Sequence, residues 1–212
     1  MRVLAIADEA EKRLWEMLDR KMLEGVELIL SAGDLPAEYL SFLTCFTHAP
    51  ILYVCGNHDV RYVDHPPEGC VCAEDRVVNV NGVRVLGLGG SIRYKPGPCM
   101  YSEKEMSARI RKARRQIRRE GGFDILLSHA PAKGLGDGDD FAHGGFECFR
   151  SLMEEYAPPY HVHGHIHASY IAAKFEREHD LGPTHILNAS GHVYFDVEPG
   201  KAAHRRFCLF KK

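Results

Sequence analysis

Features that would define a membrane-embedded, disulfide-stabilised or polyanion-coating protein are missing from this sequence. No run approaches the roughly 20 apolar residues that span a membrane, so we expect no membrane partner. The 212 residues carry 27 basic and 29 acidic side chains, and this near balance argues against a general attraction to polyanions. The seven cysteines include no Cys-x-x-Cys pair, which favours reduced thiols and a cytoplasmic location. The lack of repeats and polar linkers predicts a single domain over residues 1–212.

Histidine is the residue type in clear excess. The chain has 13 histidines, and four of them stand at alternate positions from His161 to His167. In a chain of neutral overall charge, such a cluster indicates metal binding. A phosphate-binding P-loop and a dinucleotide fingerprint are both missing, since the spacing of Gly87-Leu88-Gly89-Gly90 fits neither motif.

Hydrophobic periodicity predicts a β-α-β-α-β order for the first 56 residues. We expect strands at 3–7, 26–32 and 51–55, with helices at 10–24 and 36–48. This alternation implies a parallel sheet. Further along, Asn81-Gly82 predicts a hairpin between strands 76–80 and 83–88, and a capping box of Ser102 and Glu105 starts a helix that ends near Glu120. The remaining predicted elements are a helix at 146–156 and strands at 125–128, 160–163, 185–189, 193–197 and 206–210.

Polar motifs follow five of the predicted strands. They are Asp8, Gly33-Asp34, Gly56-Asn57-His58-Asp59, His129 and Gly164-His165-Ile166-His167. Ligands of open α/β sheets bind beyond the carboxyl ends of the strands, so these motifs are expected to converge on one site. A mixture of carboxylate, amide and imidazole ligands suits manganese, iron, zinc or nickel better than magnesium or calcium.

In this order the motifs resemble those of the calcineurin-type metallophosphoesterases. The pattern of that family is Asp-x-His, Gly-Asp, Gly-Asn-His-Asp/Glu, His and Gly-His-x-His, and here it extends from residue 8 to residue 167. The resemblance implies an α/β fold, a four-layer αββα sandwich of two packed mixed sheets. It also implies hydrolysis of a phosphodiester or phosphomonoester by a metal-bound hydroxide, with a small phosphate ester as the expected partner. It leaves the oligomeric state open.

The same resemblance implies a metal-ligand set. Asp34 would bridge two divalent ions, for which we expect manganese, with iron, zinc and nickel as alternatives. The remaining ligands form two sets, one for each ion: Asn57, His129 and His165 for the first, and Asp8 and His167 for the second.

Further residues are expected around these ions. The resemblance implies that His58 assists the leaving group and that Asp59 orients His58. Arg93 follows a glycine-rich turn and is a candidate phosphate contact. His143 lies in the glycine-rich stretch 134–145, and by analogy with related chains it is a second candidate contact.

One position departs from the family pattern. Ala10 stands where the first motif has histidine, and alanine cannot bind a metal. We therefore expect one firm ion and one labile ion. At the labile ion, either water takes the place of the missing histidine or the Glu9 side chain reaches the metal, although Glu9 leaves the strand on the opposite side to Asp8.

Two other functions stay open at this stage. The loss of the histidine at Ala10 favours a protein-binding scaffold built on the same fold. The basic helix Arg109–Arg119 favours a nuclease, with nucleic acid as its partner, although no aromatic residues interleave for base stacking. We expect His161 and His163 to pack or to donate hydrogen bonds rather than to bind the catalytic metals.

Overall fold

The computed structural model describes residues 1–167 and 175–200 of the chain. The helices in this part are α1 Lys12–Trp15, α2 Ala37–Thr44, α3 Glu103–Arg119 and α4 Glu147–Tyr156, with short 3₁₀ segments at Arg20–Leu23 and Val60–Val63. The strands are β1 Arg2–Ala7, β2 Leu28–Ser31, β3 Ile51–Tyr53, β4 Val71–Cys72, β5 Val77–Val80, β6 Val83–Leu88, β7 Ser91–Ile92, β8 Met100–Tyr101, β9 Ile125–Ser128, β10 Tyr160–His163, β11 Glu178–Leu181, β12 Thr184–Asn188 and β13 Gly191–Asp196.

Most of these strands form two mixed sheets. The first sheet has the order β13-β1-β2-β3-β4, in which only β13 runs antiparallel to its neighbour. The second has the order β11-β12-β10-β9-β6-β5, with a parallel centre and an antiparallel strand at each edge. The parallel strands of each sheet therefore deliver their carboxyl ends to one edge of that sheet.

Alternation along the strands builds four layers. In β1, Val3 and Ala5 face the second sheet, and they form one core with residues such as Val85 and Ile125. The intervening Leu4 and Ile6 face the helix layer of α1 and α2. On the other side, α3 and α4 cover the second sheet through a third apolar core. The expected αββα sandwich is confirmed, and it explains why the central strands are apolar on both faces.

Some of the predicted turns, helices and strands are confirmed, and others are wrong. The Asn81-Gly82 hairpin is confirmed, as is the capping box in which the Ser102 and Glu105 side chains each accept the other's backbone N–H. The helix predicted over 10–24 is wrong, because the chain leaves helical geometry after Trp15 and Leu18 takes a φ of +48°. Sequence patterns also missed the short strands β4, β7, β8 and β11. The strand predicted at 206–210 lies outside the described residues.

No helix within the described ranges combines the length and apolar character needed to cross a membrane.

Candidate metal centre

Five loops at the carboxyl ends of the parallel strands carry the polar motifs. Asp8 follows β1, Asp34 follows β2 after two residues, and the Asn57 loop follows β3. From the second sheet, His129 follows β9 directly and His165 follows β10 after Gly164. The backbone ties these loops together, because Asp8 N donates to Gly33 O at 3.0 Å and Gly164 N donates to His129 O at 3.0 Å.

The ligands expected for the first ion do meet. The Nε2 atom of His129 lies 3.2 Å from Asp34 Oδ2 and 3.0 Å from Asn57 Oδ1. Donor atoms of Asp34, His129 and His165 all lie within 4.8 Å of one another. The Nδ1 atom of His129 lies 2.8 Å from the backbone oxygen of Ala32, and this contact fixes the ring so that Nε2 faces the cluster. The donor set therefore fits a divalent transition metal.

Two glycines allow this convergence. A Cβ on Gly33 would lie 2.4 Å from the backbone nitrogen of Gly56, and Gly33 has a φ of +95°. A Cβ on Gly56 would lie 2.0 Å from Asp34 Oδ1. Any larger residue at either position would force the β2 and β3 loops apart, so the glycines of these motifs are required by close packing.

The backbone of three motif residues lies in the left-handed region. Asp8, Asp34 and His165 have φ values of 64°, 56° and 70°. Such conformations are unfavourable for residues other than glycine and cluster at functional sites. Here they turn each side chain toward the other loops immediately after a strand.

Electrostatics couple Asp34 and His129. Burial alone would lower the pKa of His129, but Asp34, Asp8 and the Ala32 oxygen together raise this pKa to about 9. Burial would raise the pKa of Asp34, but the charge and hydrogen bond of His129, together with the His58 N–H, lower it well below its usual value. A metal ion binding at this cluster must therefore displace the proton of His129.

His165 is held in the opposite state. Burial, together with the nearby charge of His129, lowers the pKa of His165 to about 3. The imidazole is therefore neutral at physiological pH, which is the form that binds a metal. Its Nε2 lies 2.9 Å from the backbone oxygen of Ala142, so this ring also contacts the glycine-rich 134–145 loop.

The ligands expected for the second ion are more loosely placed. The buried Asp8 carboxylate accepts the backbone N–H of His165 at 2.9 and 3.1 Å. Burial raises the pKa of Asp8, although His129, His167 and the His165 N–H all act to lower it. His167 Nε2 lies 3.7 Å from Asp8 Oδ1. Asp8 and His167 adjoin the ligands of the first ion, because Asp8 accepts the backbone N–H of His165.

The structure shows where the chain departs from the family pattern. Ala10 packs against the core beneath α1 and α2 and contributes no donor atom. Glu9 is exposed, yet its Oε1 lies 3.6 Å from His167 Nδ1. The left-handed turn at Asp8 ends the strand alternation, and Glu9 contacts the ring nitrogen of His167 opposite to the one that faces Asp8. A role for Glu9 at the second ion stays a prediction.

The catalytic candidates His58 and Asp59 differ in their surroundings. His58 is exposed, and its backbone N–H donates to Asp34 Oδ1 at 2.8 Å. Asp59 is buried, and its Oδ2 accepts the backbone N–H groups of Asp34 and Gly56, each at 2.7 Å. These contacts differ from the expectation that Asp59 orients His58: the carboxylate joins the backbones of two ligand-bearing loops.

Of the two substrate candidates, only His143 lies beside the cluster. Its ring is 5.3 Å from that of His165, and its Nδ1 is 2.7 Å from Asp140 Oδ2. Arg93 instead bonds Glu105 Oε1 at 2.9 Å and the backbone oxygen of Met100 at 3.2 Å. The Arg93 guanidinium is thus engaged by the start of α3, and its contact with a phosphate stays a prediction. The residue after it, Tyr94, accepts from Asn57 Nδ2 at 3.4 Å.

Sequence reasoning missed a partly buried support behind the β3 loop. The Glu74 carboxylate accepts the backbone N–H groups of Cys55 at 2.8 Å and Gly89 at 3.2 Å, and it pairs with Arg109. Arg109 also donates to Asp75 and to the backbone oxygen of Gly89, both at 2.7 Å. Arg109 is therefore a structural residue, which removes it from the basic face expected for a nuclease. Arg114, paired with Glu155, is likewise engaged.

His161 and His163 lie on the far side of β10 from the central core. Both are buried, and His161 Nε2 is 2.8 Å from the hydroxyl oxygen of Ser128. Because the Ser128 hydroxyl donates to the backbone oxygen of Ala130 at 2.7 Å, His161 donates to Ser128. The expected packing and hydrogen-bonding role of His161 is confirmed.

Comparisons with known proteins agree with this fold and identify the family. A model of the calcineurin-like phosphoesterase family matches residues 1–169. One crystal structure shares 13% identity and covers 92% of this chain and 94% of its own, with a TM-score of 0.65. The crystal structure of TT1561 from Thermus thermophilus shares 17% identity and covers 90% of this chain and 89% of its own, with a TM-score of 0.62. No curated protein sequence matches this chain. The match of the family model over most of the chain shows that it belongs to the calcineurin-like phosphoesterase family.

Proposed function

We propose that this chain is a metal-dependent phosphoesterase that hydrolyses a small phosphodiester, with manganese as its metal. The observation that carries the proposal is the cluster of Asp34, His129 and His165 donor atoms, all within 4.8 Å, beside the exposed His58. The choice of a diester follows the resemblance to small single-domain members of the family. A phosphomonoester is the alternative substrate.

Two sets of side chains would hold the metals. Asp34, Asn57, His129 and His165 would bind the first ion, while Asp8 and His167 would bind the second and share Asp34. When bound, two divalent ions supply a water of lowered pKa and neutralise charge on the phosphoryl oxygens. The Asp8 carboxylate and the neutral His165 ring are held by contacts to the backbone, so these donors need little reorganisation.

His58 is suited to the proton transfer. Its backbone is fixed by the bond to Asp34 Oδ1, while its imidazole stays exposed at the rim of the cluster. We assign it the proton that the leaving-group oxygen needs as the ester bond breaks. We assign a contact with the bound phosphate to His143, because its ring is aligned by Asp140 and lies beside that of His165.

The state of the thiols bears on where the protein works. The described cysteines are Cys45, Cys55, Cys70, Cys72, Cys99 and Cys148, and all are free. Free thiols are typical of reducing compartments. This supports our proposal of a cytoplasmic location.

Hydrolysis of matched esters tests both the activity and the role of His58. Wild type with added Mn²⁺ is expected to hydrolyse bis(p-nitrophenyl) phosphate faster than p-nitrophenyl phosphate. His58→Ala should lower kcat by about 10²–10⁴-fold on an alkyl ester and much less on the nitrophenyl ester, because nitrophenolate leaves without a proton. His48→Ala changes another exposed histidine and serves as the control.

Two outcomes would contradict the proposal. No turnover with any divalent metal would favour the protein-binding scaffold. If His58→Ala lowers kcat equally on the alkyl ester and on the nitrophenyl ester, His58 does not donate a proton to the leaving group. For the metal cluster, His129→Ala should abolish turnover and remove the firmly bound ion, which elemental analysis of the purified variant checks.

A further inference from the structure

Two histidines outside the catalytic cluster face each other beneath the glycine-rich 134–145 loop. His163 ends β10 and is fully buried, while His179 lies in β11 on the other side of β12. The Nε2 atoms of both rings are buried. Among residues 1–167 and 175–200, neither of these nitrogens has a hydrogen-bond partner. Buried polar atoms are normally paired, so this pair requires an explanation.

Gly136 shows that the two nitrogens share one gap. A Cβ built on Gly136 would lie 3.0 Å from His179 Nε2 and 3.6 Å from His163 Nε2. Gly136 has a φ of +78°, a conformation that favours glycine. The loop therefore passes over the two imidazoles without a side chain between them, and both nitrogens border the same small space.

The other nitrogen of each ring faces an acceptor. His163 Nδ1 is 3.0 Å from the backbone oxygen of Gly164, and His179 Nδ1 is 3.7 Å from Glu176 Oε2. A proton on Nδ1 of His163 is donated to the Gly164 oxygen, and a proton on Nδ1 of His179 faces the Glu176 carboxylate at a longer distance. Both placements leave the Nε2 lone pair free. This is the arrangement of metal-binding histidines, which direct their other N–H at a backbone oxygen or a carboxylate.

Oxygen donors lie on the His179 side of this gap. A cavity of about 210 Å³ opens beside His179, and it is lined by Asp139, Glu176 and the Gly134–Gly138 loop among others. Two imidazoles with nearby carboxylates suit zinc, nickel or cobalt better than calcium or magnesium. Without a cation between them, two lone pairs directed at one space repel each other.

We propose that His163 and His179 bind a divalent transition metal ion at a site separate from the catalytic cluster. The ion joins the end of β10 to β11 and lies directly under the loop that reaches His165 through Ala142. Its role is to hold this loop in place. The catalytic ions and this ion use different side chains, so the proposal does not depend on the proposed phosphoesterase activity.

Zinc stoichiometry tests the site. The experiment compares wild type with His179→Gln and with the control variant His185→Gln. A chelator first removes bound metal from each protein. Zn²⁺ binding is then titrated by calorimetry, and the bound zinc is measured. His185 is a neighbouring surface histidine, paired with Asp180, that the site does not use. Wild type and His185→Gln are expected to bind one more equivalent than His179→Gln. In a His129→Ala background, the His179-dependent equivalent should persist.

A second variant guards against a folding defect. Gly136→Ala keeps both imidazoles but places a methyl group in the gap, and it should lose the same equivalent while the thermal unfolding of the zinc-free protein shows a single cooperative transition. The proposal is overturned if His179→Gln binds as much zinc as wild type. It is also overturned if His129→Ala leaves no zinc bound, because then all the zinc belongs to the catalytic cluster.

Discussion

Asp59 provides the sharpest test of how the metal-binding loops are held. Its carboxylate accepts the backbone N–H groups of Asp34 and Gly56, each at 2.7 Å, in a buried position. In Asp59→Ala both groups lose their partner, and an unsatisfied buried donor costs about 1–3 kcal/mol. The free energy of unfolding should therefore fall by roughly 2–6 kcal/mol. Asp59→Asn retains an oxygen acceptor and should lose far less.

The pKa of Asp59 adds a pH signature to this test. Burial, assisted by the charge of Asp34, raises the pKa from 3.8 to about 6, although the backbone bonds oppose the rise. Asp59 loses its proton at a lower pH in the unfolded chain than in the folded protein. Its contribution to stability is therefore complete below pH 4 and is lost as the pH rises to 6. A shift of about two units corresponds to roughly 3 kcal/mol. Asp59→Asn removes this loss.

Urea unfolding of the metal-free proteins at pH 4.5, 6 and 7.5 measures both effects. Asp64→Ala, an exposed acid five residues further along, is the control and should match wild type. Manganese titration of the same variants should show weaker binding in Asp59→Ala than in Asp59→Asn. Equal stability of the alanine and asparagine variants would refute the hydrogen-bond argument and restore a role for Asp59 in orienting His58.

Three further changes have defined outcomes. Ala10→His should strengthen the second metal-binding event in a Mn²⁺ titration, and an unchanged second event would contradict our account of this position. Burial, together with the charge of His163, holds the pKa of His161 well below 6.5, so protonation of the unfolded chain reduces stability as pH falls. His161→Gln should diminish the fall in unfolding free energy between pH 7.5 and 5.5 by about 1.4 kcal/mol in urea titrations. Ser102→Ala removes the N-cap of α3 and should cost about 1 kcal/mol, measured by thermal unfolding.

The site was predictable because parallel strands impose order on distant segments. Once β1, β2, β3, β9 and β10 are assigned, the polar residues at their carboxyl ends must meet at one edge of the sandwich. The apolar runs sufficed for that assignment, since each central strand packs against a layer on both faces. The structure accordingly brings Asp34, His129 and His165 together as the motifs implied.

The failed predictions depend on interactions that leave no periodic signal. Leu14 and Met22 recur at helical spacing and are both buried, yet the chain between them turns through Leu18 in the left-handed region. Periodicity indicates which residues are buried. Here a short helix, a turn and a 3₁₀ segment bury the same residues that one continuous helix would bury. Similarly, the Asp59 carboxylate accepts backbone N–H groups. Because nearly every residue has a backbone N–H, the sequence does not indicate which ones Asp59 contacts.

In the proposed two-metal site, the departure at Ala10 should change the chemistry of the second metal position as well as its strength. The first position keeps two imidazoles, His129 and His165, whereas the second has lost one of its nitrogen donors. The Glu9 carboxylate lies 3.6 Å from His167 Nδ1, the ring nitrogen opposite to the one that faces Asp8, so it does not replace the missing imidazole. In the proposed set, the carboxylates of Asp8 and Asp34 outnumber the single imidazole of His167, and oxygen-rich ligand sets favour manganese and magnesium over zinc. The two positions should therefore differ in which metal they prefer, because the same substitution that weakens the second one also makes its ligands harder.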